Sequence, residues 1–224
     1  MLRLTPRSVR RKLLPLAYAI FLTGTLVSSA IFYTGKAFDP KQAVLSDMQS
    51  PDDNPHGYGA SALGTAISAV LLAPAVSLFY RRLRPGRPRL ALAGAIMFAV
   101  GLASAIAVGI LAPFTHGYTP LHVQLASAAF VGVSAGTWLY LLGVRVAPAL
   151  LAVQLAIVML LVFLCYGPVN FDNSRLLTSL AFSEWVLCLD CAATLWILAG
   201  RIETGAAGQP PPEPQTMRRP TSAS

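Results

Sequence analysis

The stretch RRLRPGRPR at residues 81–89 runs straight into LALAGAIMFAVGLASAIAVGILAP at residues 90–113. Five arginines crowd into nine positions, and the 24 positions that follow carry no charge. Crossing about 30 Å of hydrocarbon takes roughly 20 mostly apolar residues, so the second stretch reads as a membrane-spanning helix. Short loops rich in Lys and Arg stay cytoplasmic, so the first reads as its inner anchor.

The same pattern repeats to either side. Apolar segments without Lys or Arg cover about residues 13–34, 58–80, 121–144, 147–166 and 177–200. Fourteen of the 17 basic residues fall on one side of these segments: five from Arg3 to Lys12, five from Arg81 to Arg89, then Arg145, Arg201, Arg218 and Arg219. Lys36, Lys41 and Arg175 fall on the other. The expected fold is all-α, a polytopic membrane bundle of six transmembrane helices with a long first outer loop and both termini cytoplasmic. Residues 1–12 form a basic cytoplasmic N-terminus, 13–200 the transmembrane domain, and 201–224 a disordered cytoplasmic tail. In that tail Gln209-Pro210-Pro211-Pro212-Glu213-Pro214 offers nothing to pack.

The first span admits a second reading. A basic start, an apolar run and small residues at Ser28-Ser29-Ala30 have the form of a signal peptide. The run continues through Ile31, Phe32 and Tyr33, which suits an uncleaved helix, and cleavage would leave five spans in the same orientation.

Composition agrees with a membrane chain. It is 55% hydrophobic and 12% charged, against about 25% charged in a typical soluble domain. The net charge of +8 would point a soluble protein toward nucleic acid; here it marks span ends, and no nucleic-acid partner is expected. Cys165, Cys188 and Cys191, an odd set within apolar segments, provide no disulfide framework. Cys188 and Cys191 have redox-motif spacing in an apolar setting that suits small hydrophobes, not reactive thiols.

Helices in lipid associate by close packing of small residues. Ala60, Gly64 and Ser68, then Gly101, Ala105 and Gly109, then Ala128, Gly132 and Gly136 form three such ridges, which place spans two to four at the bundle centre. Pro74 removes a backbone donor inside the second span and is expected to kink it.

Chemistry-bearing residues gather on the outer side. The first outer loop carries Asp39, Ser46, Asp47, Asp52, Asp53, Asn54 and His56. The second outer turn has His116, and His122 opens the fourth span. Glu184 lies in the first turns of the last span. The loop acids and His116, taken singly, read as solvated turn residues beside Pro and Gly. His122 and Glu184 sit at span mouths, where an ionisable group is costly unless paired or wet. Asp190 falls near the middle of the last span. There it must face the bundle interior, be protonated, or find a donor such as Ser68, Thr137 or Thr194. It reads either as hydrogen-bond glue between helices or as a ligand-binding group. No phosphate-binding Gly-rich loop, His-Glu-x-x-His or Gly-x-Ser-x-Gly elbow occurs, and no cofactor or metal is expected.

The combination of Leu45-Ser46-Asp47-Met48, Asn54-Pro55-His56-Gly57-Tyr58, Pro120-Leu121-His122 and Ser183-Glu184-Trp185 resembles the superfamily of damage-regulated autophagy modulators (DRAM) and lipid-remodelling Golgi proteins. It is nearest to that superfamily's bacterial relatives of unknown function. The resemblance implies a six-span fold over about residues 13–200, a structured outer loop, activity around membrane lipids, and a place in a bacterial cytoplasmic membrane. Its motif positions here are Ser46, Asp47, Asn54, His122 and Glu184. Related zinc-dependent lipid hydrolases carry a paired His in the last helix; this one has Glu184 and Asp190 but no His. The expected function is therefore lipid sensing or binding through an outer-facing polar pocket, between spans two, four and six and lined by His122 and Glu184. The candidates for that pocket are Ser46, Asp47, Asn54, His56, His116, His122, Glu184 and Asp190. Two other classes stay open: a metal-assisted lipid hydrolase using His56, His116, His122 and nearby carboxylates, and an assembly subunit or homo-oligomer whose small-residue ridges face another membrane protein.

Overall fold

Thr5 opens the first long helix with a reciprocal cap: its hydroxyl accepts from the Ser8 amide at 3.1 Å, and the Ser8 hydroxyl accepts from the Thr5 amide at 2.9 Å. Pro6 follows at the first helical position, where its missing N–H costs nothing. In a computed structural model, which describes residues 4–42, 44–114, 119–144, 152–153, 155–157, 177 and 179–205, helix α1 then runs Pro6–Phe32. It widens to a π turn over Val9–Leu13, where the Leu14 amide bonds to the Val9 carbonyl. The wide turn falls just before Pro15, whose ring would strike the carbonyl of residue 11 in a regular helix.

The other elements are α2 (Leu45–Met48), α3 (Tyr58–Leu83), α4 (Pro88–Leu111), α5 (Pro120–Gly143) and α6 (Leu180–Glu203). Thr119 caps α5 and Ser179 caps α6 with their hydroxyls, and prolines open α4 and α5. No strand occurs among the described residues. Five helices among them (α1, α3, α4 with its short 3-10 extension, α5 and α6) are 24 to 27 residues long and apolar enough to cross a bilayer. The protein is an all-helical, multi-pass membrane protein. The segment expected at about 147–166 lies mostly outside the described residues.

Glycines set the packing order. Any Cβ on Gly24 of α1 would lie 2.5 Å from the Ala60 carbonyl oxygen of α3. On Gly132 of α5 it would lie 2.6 Å from the Cα of Gly101 on α4. Gly109 of α4 meets Ala66 of α3, and Gly136 of α5 meets Phe98 of α4. Thus α1 packs on α3, α3 on α4 and α4 on α5, the backbone approach that small residues permit in lipid. Gly64, Gly101, Gly109, Gly132 and Gly136 of the small-residue ridges meet neighbouring helices within this layer. Pro74 sits inside α3 without ending it.

The described core is concentrated toward one end. Leu78, Phe79 and Leu83 of α3 meet Ala91 and Phe98 of α4, Tyr140 and Leu141 of α5, Leu195, Leu198 and Ile202 of α6, and Val9 and Leu14 of α1. Tyr140 stands edge-on to Phe79 and Phe98, and its hydroxyl donates to the Val76 carbonyl at 3.2 Å. This is also where the arginines of α1, of the α3–α4 turn and of α6 gather, so it is called the basic end. Arg10 pairs with Glu203 at 3.3 Å and lies 5.5 Å over the Trp196 ring, tying α1 to α6. Leu26, Leu63, Ile67, Ile96, Val100 and Val131 remain exposed, an apolar exterior suited to lipid and not to water.

Candidate functional site

At the opposite end the first loop folds back across the bundle. Val44, Leu45, Met48, Gln49, Ser50 and Asn54 are all buried. Asn54 organises it: its amide nitrogen donates to the Ser28 carbonyl at 3.1 Å and the Ser28 hydroxyl at 2.8 Å, while its oxygen accepts from the Gly57 amide at 3.1 Å. The Ser28 hydroxyl donates in turn to the Met48 carbonyl at 2.7 Å. Gln49 donates to Thr65 of α3 at 2.9 Å.

The remaining tie comes from α6. Helix α2 is one turn long and begins after Val44, a residue with no side-chain oxygen to cap it. The orphaned Leu45 N–H instead donates to Glu184 Oε2 at 2.6 Å. A carboxylate at a helix start is favourable on both hydrogen-bonding and dipole grounds.

Beneath this cap lies a cavity of about 160 Å³. Each wall contributes one helical stripe: Thr65, Ser68, Ala69 and Leu72 from α3, His122, Ala126, Ala129, Phe130 and Val133 from α5, and Glu184, Cys188 and Cys191 from α6. Residues on α1 and α4 complete it, including Ala17, Tyr18, Leu102 and Ala105, and Leu45, Ser46 and Gln49 form the roof. The walls therefore involve five helices, not only the three expected from sequence. Alanines at 17, 69, 105, 126 and 129 leave the space open. From His122 to Val133 the lining descends about 16 Å at 1.5 Å per residue. Most of its polar groups (Ser46, Gln49, Thr65, His122, Glu184) cluster at the roofed end, and below them the lining is mainly apolar, with Tyr18 and Ser68 as its polar exceptions.

His122 is a lining side chain whose ring has no internal partner among the described residues. It is 5% exposed, it lines the cavity, and its imidazole bonds to none of the described residues; only its backbone amide is engaged, to the Thr119 hydroxyl. Buried polar groups normally have partners.

No family model matches the chain, and no curated protein and no solved structure matches it.

The structure brings three of the sequence candidates to the cavity: Ser46, His122 and Glu184. Asn54 is a structural hub of the loop. Asp47 is half-buried in α2 but off the lining, and His56 is exposed. His116 lies outside the described residues. Asp190 is half-buried and also off the lining. None of the three donors expected for Asp190 reaches it: Ser68 donates to the Thr65 carbonyl, Thr137 to the Val133 carbonyl, and the Thr194 hydroxyl has no partner. Sequence reasoning passed over Cys188 and Cys191 as site residues, yet with Glu184 they occupy one face at i, i+4 and i+7. Cys191 sits 3.3 Å from the Ser134 hydroxyl of α5. Among the described residues no three His, Cys, Asp or Glu side chains converge to hold a metal ion.

Proposed function

We propose that this protein is a six-span component of a bacterial cytoplasmic membrane, with both ends inside, that binds or senses a lipid through the capped cavity. The observation that carries the reading is the cavity's polarity. Most hydrogen-bonding groups crowd its roofed end and mainly apolar side chains line the rest, Tyr18 and Ser68 excepted, the order in which a lipid in the outer leaflet presents head and chain. His122, which lines that end with its ring bonded to none of the described residues, is the group such a ligand would meet.

Two features support the orientation and span count. Arg7, Arg10, Arg11, Lys12, the five arginines of residues 81–89 and Arg201 belong to helix ends that meet at the basic core, as the positive-inside rule requires. Helices α5 and α6 both begin at the cavity roof, through His122 and Glu184. A sixth crossing between them, in the segment expected at about 147–166, is the simplest return path. The likeness to the DRAM and lipid-remodelling superfamily belongs to this proposal and rests on the short motifs alone.

The test is cavity filling. Ala126→Leu projects a larger side chain into the space without touching the glycine contacts. Wild type extracted in mild detergent is expected to carry a stoichiometric lipid by native mass spectrometry, and Ala126→Leu to have lost it while still unfolding cooperatively. A wild type without lipid, or a variant that keeps it, defeats the reading. Single cysteines at positions 41 and 87, labelled with an impermeant maleimide in intact cells, are expected to react at 41 only.

A further inference from the structure

The proposed lipid pocket, on which the following rests, also carries information about the head it accepts. Among the described residues Glu184 is the single acidic group on the lining, and no Lys or Arg joins it there. The walls below are mainly apolar and carry no charged group, and Val44, Leu45, Met48 and Gln49 of the roof are themselves buried. A phosphate brought under that roof would lose its hydration and meet no cation on the lining. Uncompensated buried charge is among the most expensive arrangements a protein can hold.

What the site does offer is hydrogen bonding of neutral kind. An imidazole presents one N–H donor and one acceptor lone pair, and His122 spends neither on the described residues. Gln49 has used an amide proton on Thr65, and Glu184 has accepted the Leu45 amide. Size adds a second restriction. The cavity of about 160 Å³ is close to the engineered cavity of about 150 Å³ that admits a benzene ring. It has room for one ring or one short length of chain, so a large head such as phosphocholine is barred by size and a bare phosphate by its uncompensated charge.

We infer that the ligand is an uncharged, oxygen-bearing lipid, with a hydroxyl, ester or quinone carbonyl oxygen hydrogen-bonded to His122, and that phosphate-bearing lipids are excluded from the cavity. Diacylglycerols, long-chain isoprenoid alcohols and prenylated quinones share this chemistry.

The experiment uses the full chain in phosphatidylcholine nanodiscs, titrated with dioleoylglycerol, farnesol or a decyl-substituted benzoquinone, and with dioleoyl phosphatidic acid. The first and last differ by the phosphate alone. Binding is read from the shift in unfolding temperature. At least one uncharged ligand is expected to bind at least about tenfold more tightly than phosphatidic acid. His122→Phe is expected to weaken it about tenfold, the loss of one buried hydrogen bond, and His122→Gln to restore part of the affinity. Phosphatidic acid binding as tightly as dioleoylglycerol overturns the inference, as does a folded His122→Phe that binds like wild type. If phosphatidic acid binds and Ala126→Leu abolishes it, the lipid pocket stands and the uncharged head falls. If no ligand of either class binds, the pocket reading itself fails.

Discussion

The Leu45 amide and the Glu184 carboxylate meet at 2.6 Å although 139 residues separate them in the chain. The first outer loop is thus joined to the last helix directly over the cavity, with the Ser46 backbone also bonding to Glu184. Replacing the acid separates its contributions. Glu184→Gln keeps an acceptor in place, whereas Glu184→Ala leaves a buried N–H unmet at a cost of about 1–3 kcal/mol. Hydrogen exchange over residues 44–50 is expected to accelerate about tenfold or more in the alanine variant and much less in the glutamine variant. Equal protection in all three proteins would show that the loop is held elsewhere.

Asn54 makes a prediction of opposite character to the usual conservative swap. Its nitrogen faces two oxygens of Ser28 and the carbonyl of Met48. In Asn54→Asp an acceptor replaces that donor among acceptors, so the isosteric change is expected to destabilise more than Asn54→Ala. Unfolding midpoints in detergent compare the two directly, and the reverse order would refute the assignment of the amide.

The α4–α5 seam is the tightest place to add volume. A Cβ on Gly101 runs into the backbone amide of Val133. Gly101→Val is expected to cost on the order of 1–3 kcal/mol, the range for overpacking. Gly59, where an added Cβ meets nothing, is the matched control. Similar unfolding temperatures for Gly101→Val and Gly59→Val would argue against the seam.

At the basic end, Arg10 and Glu203 have side chains 35% and 24% exposed. A pair so open to solvent contributes about 0–1 kcal/mol, and a double-mutant cycle is expected to give a coupling inside that range. Arg10→Ala should nevertheless change the emission of Trp196, because the guanidinium lies over that ring. An unchanged spectrum together with zero coupling would remove Arg10 as a tie.

Tyr33, just beyond the end of α1, donates to the Asp39 carbonyl at 3.2 Å. Burial first, then the nearby Asp39 and Asp47 carboxylates, push its phenol above the ordinary value of about 10. A proton held more tightly in the folded than in the unfolded chain stabilises the fold below the unfolded pKa. That stability is lost as pH rises through the folded value. The segment 33–42 is expected to stay ordered at neutral pH and to loosen only above about pH 10. Tyr33→Phe should delete that alkaline step in hydrogen exchange; identical profiles would acquit the phenol.

Much of this architecture was readable from apolar length, because a bilayer imposes a length on any segment that crosses it. The ends were not. Hydropathy starts the first span near Leu13, but Arg10, Arg11 and Lys12 are good helix formers, and the Thr5 cap extends α1 back to Pro6. His122 and Glu184 stood out because an ionisable group at a span mouth needs a reason. Ser28 and Gln49 did not, because their meaning lies in bonds between segments far apart in sequence. Asp190 lies off the lining, and its place in the helix accounts for that. It is one position from Cys191, and one residue turns a helix by about 100°, enough to take a side chain off the cavity stripe.

The bond from Leu45 to Glu184 also bears on how the protein is made. The glycine contacts join α1 to α3, α3 to α4 and α4 to α5, helices that leave the ribosome in succession, so each has its docking surface waiting when it arrives. The roof has no such convenience. Its anchor is synthesised 139 residues after the amide it must capture. The bonds of Asn54 to Ser28 and of Gln49 to Thr65 can hold the loop early, but the α6 wall and its tie to Leu45 complete the cavity as the last event of assembly. A chain arrested before its final helix would present a pocket open on that side to the membrane, a state that quality-control machinery could recognise.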